Sequence, residues 1–285
     1  MNFRKKYFPA DILLGEQVQV LSYIMDKEVF TFPFYNDGVV ALNKSVRRMH
    51  QDGFEYLNRI NSDNLIPHVS FVFHSGHAGS TLLSNMLKVS EKVRVVSECE
   101  VFNGIFMYYA TGQLKFQSVS EYLRKIVLAF RQRIKNEDHV IFKMASWNVF
   151  MLREIYQIFP DSRFIYIDRN SDELVASLLK SENGFTQWYL HASDILVSYF
   201  IGPRKMPLSS KKLYLESFVQ SQKDYVNRNI ELFNATFTYP SFIQSLSSKV
   251  LPTLGLVFDK NELLGAKEIS KYQSKSRARK LYVAK

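Results

Sequence analysis

The sequence predicts an α/β protein with a central, mainly parallel sheet flanked by helices. Short apolar runs recur from residue 68 onward, and each is followed by a stretch whose apolar residues fall at helical spacing. Each run closes on small or charged residues, as strands of a parallel sheet do where they pass into crossover helices. The chain is 14% aromatic and 46% hydrophobic, a composition that excludes a disordered chain and supplies the core such a sheet needs.

Phe71, Val72 and Phe73 centre a first strand over 69–74. Gly76, Ala78 and Gly79 then allow a tight bend, and Ser80 and Thr81 open a helix over 80–89 through Leu82, Leu83, Met86 and Leu87. A short strand, Val93-Arg-Val-Val96, ends at Ser97-Glu98. Ser118-Val-Ser-Glu121 has the capping-box pattern and opens a helix through Ile134. Val140-Ile-Phe-Lys143 is the next strand, with a helix over 148–158 that stops at Pro160. Phe164-Ile-Tyr-Ile167 follows, closed by Asp168-Arg169, and a helix starts near Ser171. Residues 186–200 and 210–234 are predicted helical, Phe237-Thr-Tyr239 is a last strand, and 241–251 returns to helix before Gly255. The first 65 residues read as a partly helical N-terminal extension packed on a main domain over 66–285. There, Leu42, Val46, Met49, Phe54, Leu57 and Ile60 predict a helix over 41–61, with Pro33 and Asn36-Asp-Gly38 marking turns before it.

Cys99 is the only cysteine, which excludes a disulfide framework and a multi-cysteine metal site and suits a reducing cytoplasm. No apolar run approaches the ~20 residues that span a bilayer. The basic N-terminus is not followed by the apolar stretch of a signal peptide. The net charge of +10 fits nucleic acid, an acidic membrane surface or a polyanionic ligand. Lys271, Lys275, Arg277, Arg279, Lys280 and Lys285 gather at the end of the chain, either as a solvated tail or as a loop over a multiply charged ligand.

Ligands of parallel sheets bind beyond the carboxyl ends of the strands. Four successive strands place the 74–79 bend, Glu98, Lys143 and Arg169 there. The bend aims unpaired N–H groups and the positive end of a helix at one point, a phosphate or sulfate site. Arg169, with Ser177 eight residues on, forms a second candidate anion site.

Ser75-Gly-His-Ala-Gly-Ser-Thr-Leu-Leu83 resembles the 5′-phosphosulfate loop of sulfotransferases that use 3′-phosphoadenosine 5′-phosphosulfate (PAPS). The segment from Tyr166 to Leu179 resembles their 3′-phosphate segment, and Tyr239-Pro-Ser-Phe242 with Leu254-Gly-Leu256 resembles a later tyrosine segment and helix end. The likeness covers 68–180 well and 236–280 loosely. It implies a P-loop-like three-layer fold and an enzyme that moves a sulfuryl group from PAPS to a hydroxyl acceptor, small-molecule or carbohydrate, without a metal. Gly76, His77, Ala78, Gly79, Ser80, Thr81 and Leu82 would hold the 5′-phosphosulfate, Arg169 and Ser177 the 3′-phosphate, and Lys275 and Arg277 a closing loop.

Two departures from the pattern matter. His77 stands where the family usually has Arg or Lys, so it supports charge fully only when protonated. Ala145 stands where cytosolic members carry a histidine base two residues after the strand-end lysine, here Lys143. Golgi-type and many bacterial members use a glutamate after the second strand, which implies Glu98 as general base, with Glu100 as its rival. Lys143 and His77 would then meet the developing charge. Two other classes remain open. A P-loop kinase needs a lysine before Ser80, where Gly79 stands. A nucleotide-binding protein without turnover would keep the same motifs. No nucleic-acid-binding motif is read.

Overall fold

The structure, a computed structural model, describes residues 6–14, 18–43, 49–50, 54–182, 184–191, 194–201 and 210–272. The chain begins with a hairpin of β1 (Lys6–Leu14) and β2 (Val18–Met25), antiparallel and in register at Ile12 with Val20. The register shifts between Pro9 and Asp11. A bulge is where a strand tolerates proline, and it hides this strand from the sequence pattern. A 3-10 turn, Lys27–Thr31, leads into α1 (Tyr35–Asn43), and β3 (Met49–His50) adds to β2.

The helix expected over 41–61 is not present. Among the described residues of that stretch, 41–43 are the end of α1, Met49–His50 is a strand, and Glu55–Arg59 is a 3-10 turn. Its apolar residues serve two surfaces: Leu42 packs on the main core, while Leu57 joins Tyr56 and Ala129 in a separate small cluster. The turn expected at 36–38 is instead the first half of α1. Gly38 lets that helix press on the preceding turn, since a Cβ there would stand 2.6 Å from the Val29 carbonyl.

From residue 68 the alternation is as expected. It runs β4 (His68–His74), α2 (Ser80–Leu87), β5 (Val93–Ser97), α3 (Glu100–Ala110), α4 (Phe116–Phe130), β6 (His139–Lys143), α5 (Leu152–Ile158), β7 (Arg163–Asp168) and α6 (Ser171–Leu179). Then come α7 (Trp188–His191), α8 (Asp194–Ile201), α9 (Lys211–Asn227), β8 (Ala235–Thr238), α10 (Leu251–Leu254) and α11 (Lys260–Ile269). Some boundaries differ from expectation. α4 starts at Phe116, with Ser118 inside it rather than capping it, and α9 ends at Asn227 rather than 234. The 186–200 stretch is several short pieces, and a π turn, Leu246–Val250, precedes α10. α3 and α11 have no counterpart among the expected elements.

The five later strands form one parallel sheet in the order β5-β6-β4-β7-β8. Side chains alternate across it. Phe71, Phe73, Phe142, Phe164 and Tyr166 face the layer of α3, α4, α5 and α9, and the core on that side extends to Phe8 and Tyr35 of the N-terminal segment. Val72, Val95, Ile141, Ile165 and Ile167 face α2, α10 and α11. The result is an α/β three-layer, P-loop-like fold with its loop after the central strand. No helix among the described residues is long and apolar enough to cross a membrane.

Candidate active site

The parallel register sets which strand tips meet. Ser97 pairs with Lys143 across β5 and β6, so Glu98 is the first residue beyond that pair. Its N–H donates to the Lys143 carbonyl at 2.7 Å, and its φ of 49° turns the side chain back over the strand ends. For a glutamate this left-handed conformation is uncommon and costs about 1–3 kcal/mol. The Glu98 carboxylate lies 2.5 Å from Lys143 Nζ, and the same ammonium donates to Thr81 Oγ1 at 3.1 Å. The Phe34 ring, from the N-terminal segment, lies 4.8 Å from Lys143 Nζ. Lys143 is 0% exposed and Glu98 28%, so the carboxylate is the member a second molecule can reach. Glu100 starts α3, is exposed, and accepts from Asn103 at 3.2 Å. It is Glu98, then, that faces the lysine.

His74 anchors the start of the bend. Its Nδ1 accepts from the Gly76 N–H at 3.0 Å, which leaves Nε2 to donate to the Met144 carbonyl at 2.9 Å. Burial pushes this imidazole down to about 4, against the pull of nearby Glu98, so it is neutral at pH 7. Gly76, with its N–H committed to His74, is thereby a hinge of the bend, and donors toward an anion begin at His77. Gly79 has φ 78° and a Cβ there would lie 2.4 Å from the Tyr239 ring, so no other residue fits without displacing that ring. Ser80, Thr81 and Leu82 form the first turn of α2, whose N–H groups have no intrahelical partner.

A second group lies on the other flank of the bend. His77, with φ 41°, directs Nδ1 at Ser177 Oγ, 2.8 Å away, and its carbonyl accepts from Arg169 at 3.0 Å. The Arg169 guanidinium lies over the Tyr239 ring at 5.3 Å and pairs with Glu173 at 3.1 Å. Asn170 caps α6 by accepting from the Asp172 and Glu173 N–H groups. Asp168 is taken by Lys223 of α9 at 3.1 Å. Gly79 and Arg169 thus both stand against the Tyr239 ring.

Of the expected site residues, Gly76 to Leu82, Glu98, Lys143, Arg169 and Ser177 converge. His77 faces Ser177 rather than the Lys143–Glu98 pair. Lys275 and Arg277 lie outside the described residues. Phe34, Gln222 and Lys223 were not foreseen as parts of the site, and His74, placed at the strand end, was given no role. Gln222 gave a signal, as a polar residue on the buried stripe of α9, where it donates to the Ser146 carbonyl at 2.7 Å. Trp147 and Trp188 pack on each other at 5.5 Å and on Phe200.

No protein-family model matches the sequence, and no curated protein matches it. Among solved structures, a sulfotransferase from Alicyclobacillus acidocaldarius is similar at 12% identity over 69% of this chain and 87% of that one, with a TM-score of 0.42. The sulfotransferase domain from the curacin biosynthetic pathway has 11% identity over 70% of this chain and 78% of that one, with a TM-score of 0.41. Mouse sulfotransferase SULT7A1, complexed with PAP, has 14% identity over 75% and 68%, with a TM-score of 0.35. Likenesses this distant leave the reaction to be read from this chain's own residues.

Proposed function

We propose that this protein is a sulfotransferase that takes the SO3 group from PAPS and delivers it to a hydroxyl of a small-molecule or carbohydrate acceptor by in-line displacement. One observation carries the reading. A single bend at a helix N-terminus has Arg169 and Ser177, both held to His77, on one flank and a buried lysine–carboxylate pair on the other. That layout suits a ligand with anionic groups at both ends, and PAPS is such a ligand. The N–H groups from His77 to Leu82 and the Ser80 and Thr81 hydroxyls cradle the 5′-phosphosulfate. Arg169 and Ser177 take the 3′-phosphate, with Arg169 leaving or sharing Glu173. Lys275 and Arg277 are assigned to its closure. Cytoplasmic PAPS suits a chain whose one cysteine, Cys99, is buried and free.

Bound PAPS supplies an activated sulfuryl group and a stable leaving phosphate. Glu98 accepts the acceptor's proton as the oxygen attacks sulfur. Protonation cancels the charge that holds Lys143, and the freed ammonium meets the negative charge moving to the sulfuryl and bridging oxygens. With His77 Nδ1 engaged by Ser177, support for the bridging oxygen from this residue falls to Nε2. Position 79 has no space for the lysine a P-loop kinase needs, which favours sulfuryl over phosphoryl transfer.

Calorimetric titration with adenosine 3′,5′-bisphosphate, paired with a labelled-sulfate transfer assay, tests this. Arg169→Ala should weaken binding roughly 10- to 100-fold. Glu98→Gln should spare binding while lowering transfer by roughly 10²- to 10⁴-fold. Absence of nucleotide binding by the wild type would sink the proposal. Binding with no transfer across an acceptor panel would leave a nucleotide-binding protein without turnover.

A further inference from the structure

A cavity of about 560 Å³ opens at the other end of α2, beside the edge strand β5 and away from the strand-end cleft. Phe30, Val89, Val93, Val95 and Ile269 give it apolar walls, and its charged lining is Lys27, Lys88, Arg94 and Lys135 with Glu91 and Glu137. Arg94 is consumed internally. It pairs with Glu137 at 2.6 Å and donates to the Phe130 and Gln132 carbonyls. The other cations are less well matched. Lys27 and Lys135 share the single carboxylate of Glu91, at 3.9 and 3.8 Å. They stand close enough to hydrogen-bond, a contact that lowers the affinity of Lys27 for its proton and raises that of Lys135. Two like charges held around one exposed carboxylate are a standing repulsion that a bound anion relieves.

Lys88 is the third cation. It is partly buried, and among the described residues its ammonium has one acceptor, the Phe32 carbonyl at 2.5 Å, and no carboxylate within ion-pair distance. An ammonium has three protons to place, and an apolar wall takes none of them. Burial, with the charge of nearby Lys143 added, pulls it down to about 7. The lining as a whole carries four basic side chains against two carboxylates, and a bound dianion both offsets that excess and draws Lys88 toward its charged form. The volume lies in the range of small-molecule sites, roughly 300–1,000 Å³.

We propose that this cavity is a second binding site, which takes a phosphomonoester carried on an apolar body. Lys88 is its central cation, and Lys27 and Lys135 stand at its mouth. The site is independent of the transferase reading, since it shares no residue with the strand-end cleft. Occupancy would be felt there all the same. Thr81 and Lys88 lie seven residues apart on one face of α2, and Thr81 accepts from Lys143.

Pyridoxal 5′-phosphate is a direct probe, because it joins a phosphomonoester and an aldehyde on a flat apolar ring. With the phosphate held by Lys27 and Lys135, the neutral fraction of Lys88 adds its amine to the aldehyde carbon, water leaves, and borohydride reduces the imine to a stable amine that peptide mapping locates. At pH 7 the expected result is one adduct per chain, on Lys88. Pyridoxal without the phosphate should react at least 10-fold more slowly, and Lys27→Met with Lys135→Met should remove most of that difference. Saturating adenosine 3′,5′-bisphosphate should leave the adduct on Lys88 and change only its rate, through the charge Lys88 feels from Lys143, whereas a probe bound in the cleft would be displaced. Adducts spread over exposed lysines such as Lys212, or equal rates with and without the phosphate, would overturn the proposal. Mapping on the wild type decides the matter even where a variant fails to fold.

Discussion

The two groups of side chains flanking the 76–79 bend use similar chemistry in opposite settings. Lys143 is fully buried, with its charge met by Glu98 and its remaining reach taken by Thr81 and the Phe34 ring. Arg169 is 22% exposed, lies on Tyr239, and is paired with Glu173, which is itself 61% exposed. The inner pair is preorganised: its geometry is fixed before any ligand arrives, and a proton gained by Glu98 redirects the lysine's charge. The outer pair is exchangeable, because water screens it and competing for the guanidinium costs an anion little. On the proposed function, burial separates the group assigned to the chemical step from the group assigned to reversible binding.

The sharpest way to break the comparison is at Lys143. On the proposed function Lys143→Met should lower transfer by about 10³-fold while nucleotide binding holds, because the inner pair acts on developing charge. It should also destabilise the fold by roughly 1–3 kcal/mol. That is below the figure for a fully buried pair, since Glu98 keeps some contact with water. Adding Glu98→Gln should restore most of the stability and none of the activity, as denaturant melts and transfer assays on the same samples will show. If the double variant is as unstable as the single one, the pair is not a unit.

Next in size is Gly79, where both flanks meet through Tyr239. Gly79→Ala adds a Cβ 2.4 Å from that ring at φ 78°, so strain and overpacking combine to about 3 kcal/mol. Gly112 has a similar φ, 75°, with open space for 4 Å around the position a new methyl group would take, so Gly112→Ala should cost only about 1 kcal/mol. Equal losses at the two positions in chemical denaturation would mean that the Tyr239 contact is not tight.

The third effect depends on pH and belongs to the inner flank. His74 is neutral in the fold at about 4, whereas the unfolded chain protonates it near 6.5. The unfolded state therefore binds more protons as pH falls through that interval, so stability is complete above about 6.5 and declines toward pH 4. The full difference is about 3 kcal/mol. Melts at pH 7 and 4.5 should show a larger acid loss for the wild type than for His74→Gln. Parallel curves would show that His74 does not anchor the bend as a neutral ring.

How far the sequence revealed these flanks follows from the same physics. Strands such as Phe71–Phe73 and Val140–Lys143 are short apolar runs with abrupt ends, so their positions and their tips were legible. Arg169 and Ser177 lie on one strand–helix joint, and a local pattern carried them. The Glu98–Lys143 pair joins residues 45 positions apart and exists only through the β5–β6 register, so each partner was legible but the contact was not. Phe34 was further out of reach, because the N-terminal segment hides its strands behind Pro9 and its helix behind Gly38. Both residues are chosen for tertiary contacts: a bulge in one case, and close approach to the Val29 carbonyl in the other.

The smallest prediction sharpens the comparison most. If the outer flank is exchangeable, Glu173 competes with an incoming phosphate for Arg169. Glu173→Gln should therefore tighten adenosine 3′,5′-bisphosphate binding, by roughly 2- to 5-fold, the span expected for one solvent-exposed ion pair. The gain should fade as salt is raised, because screening already weakens the competitor. Thermal stability should hardly change. The inner flank predicts the reverse pattern, in which removing the carboxylate stops transfer and leaves affinity alone. Calorimetry on Glu173→Gln and Glu98→Gln, run at low and high salt, compares the two carboxylates directly. A loss of affinity in Glu173→Gln would mean that Glu173 positions the guanidinium instead of competing for it, and the outer flank would then be as preorganised as the inner one.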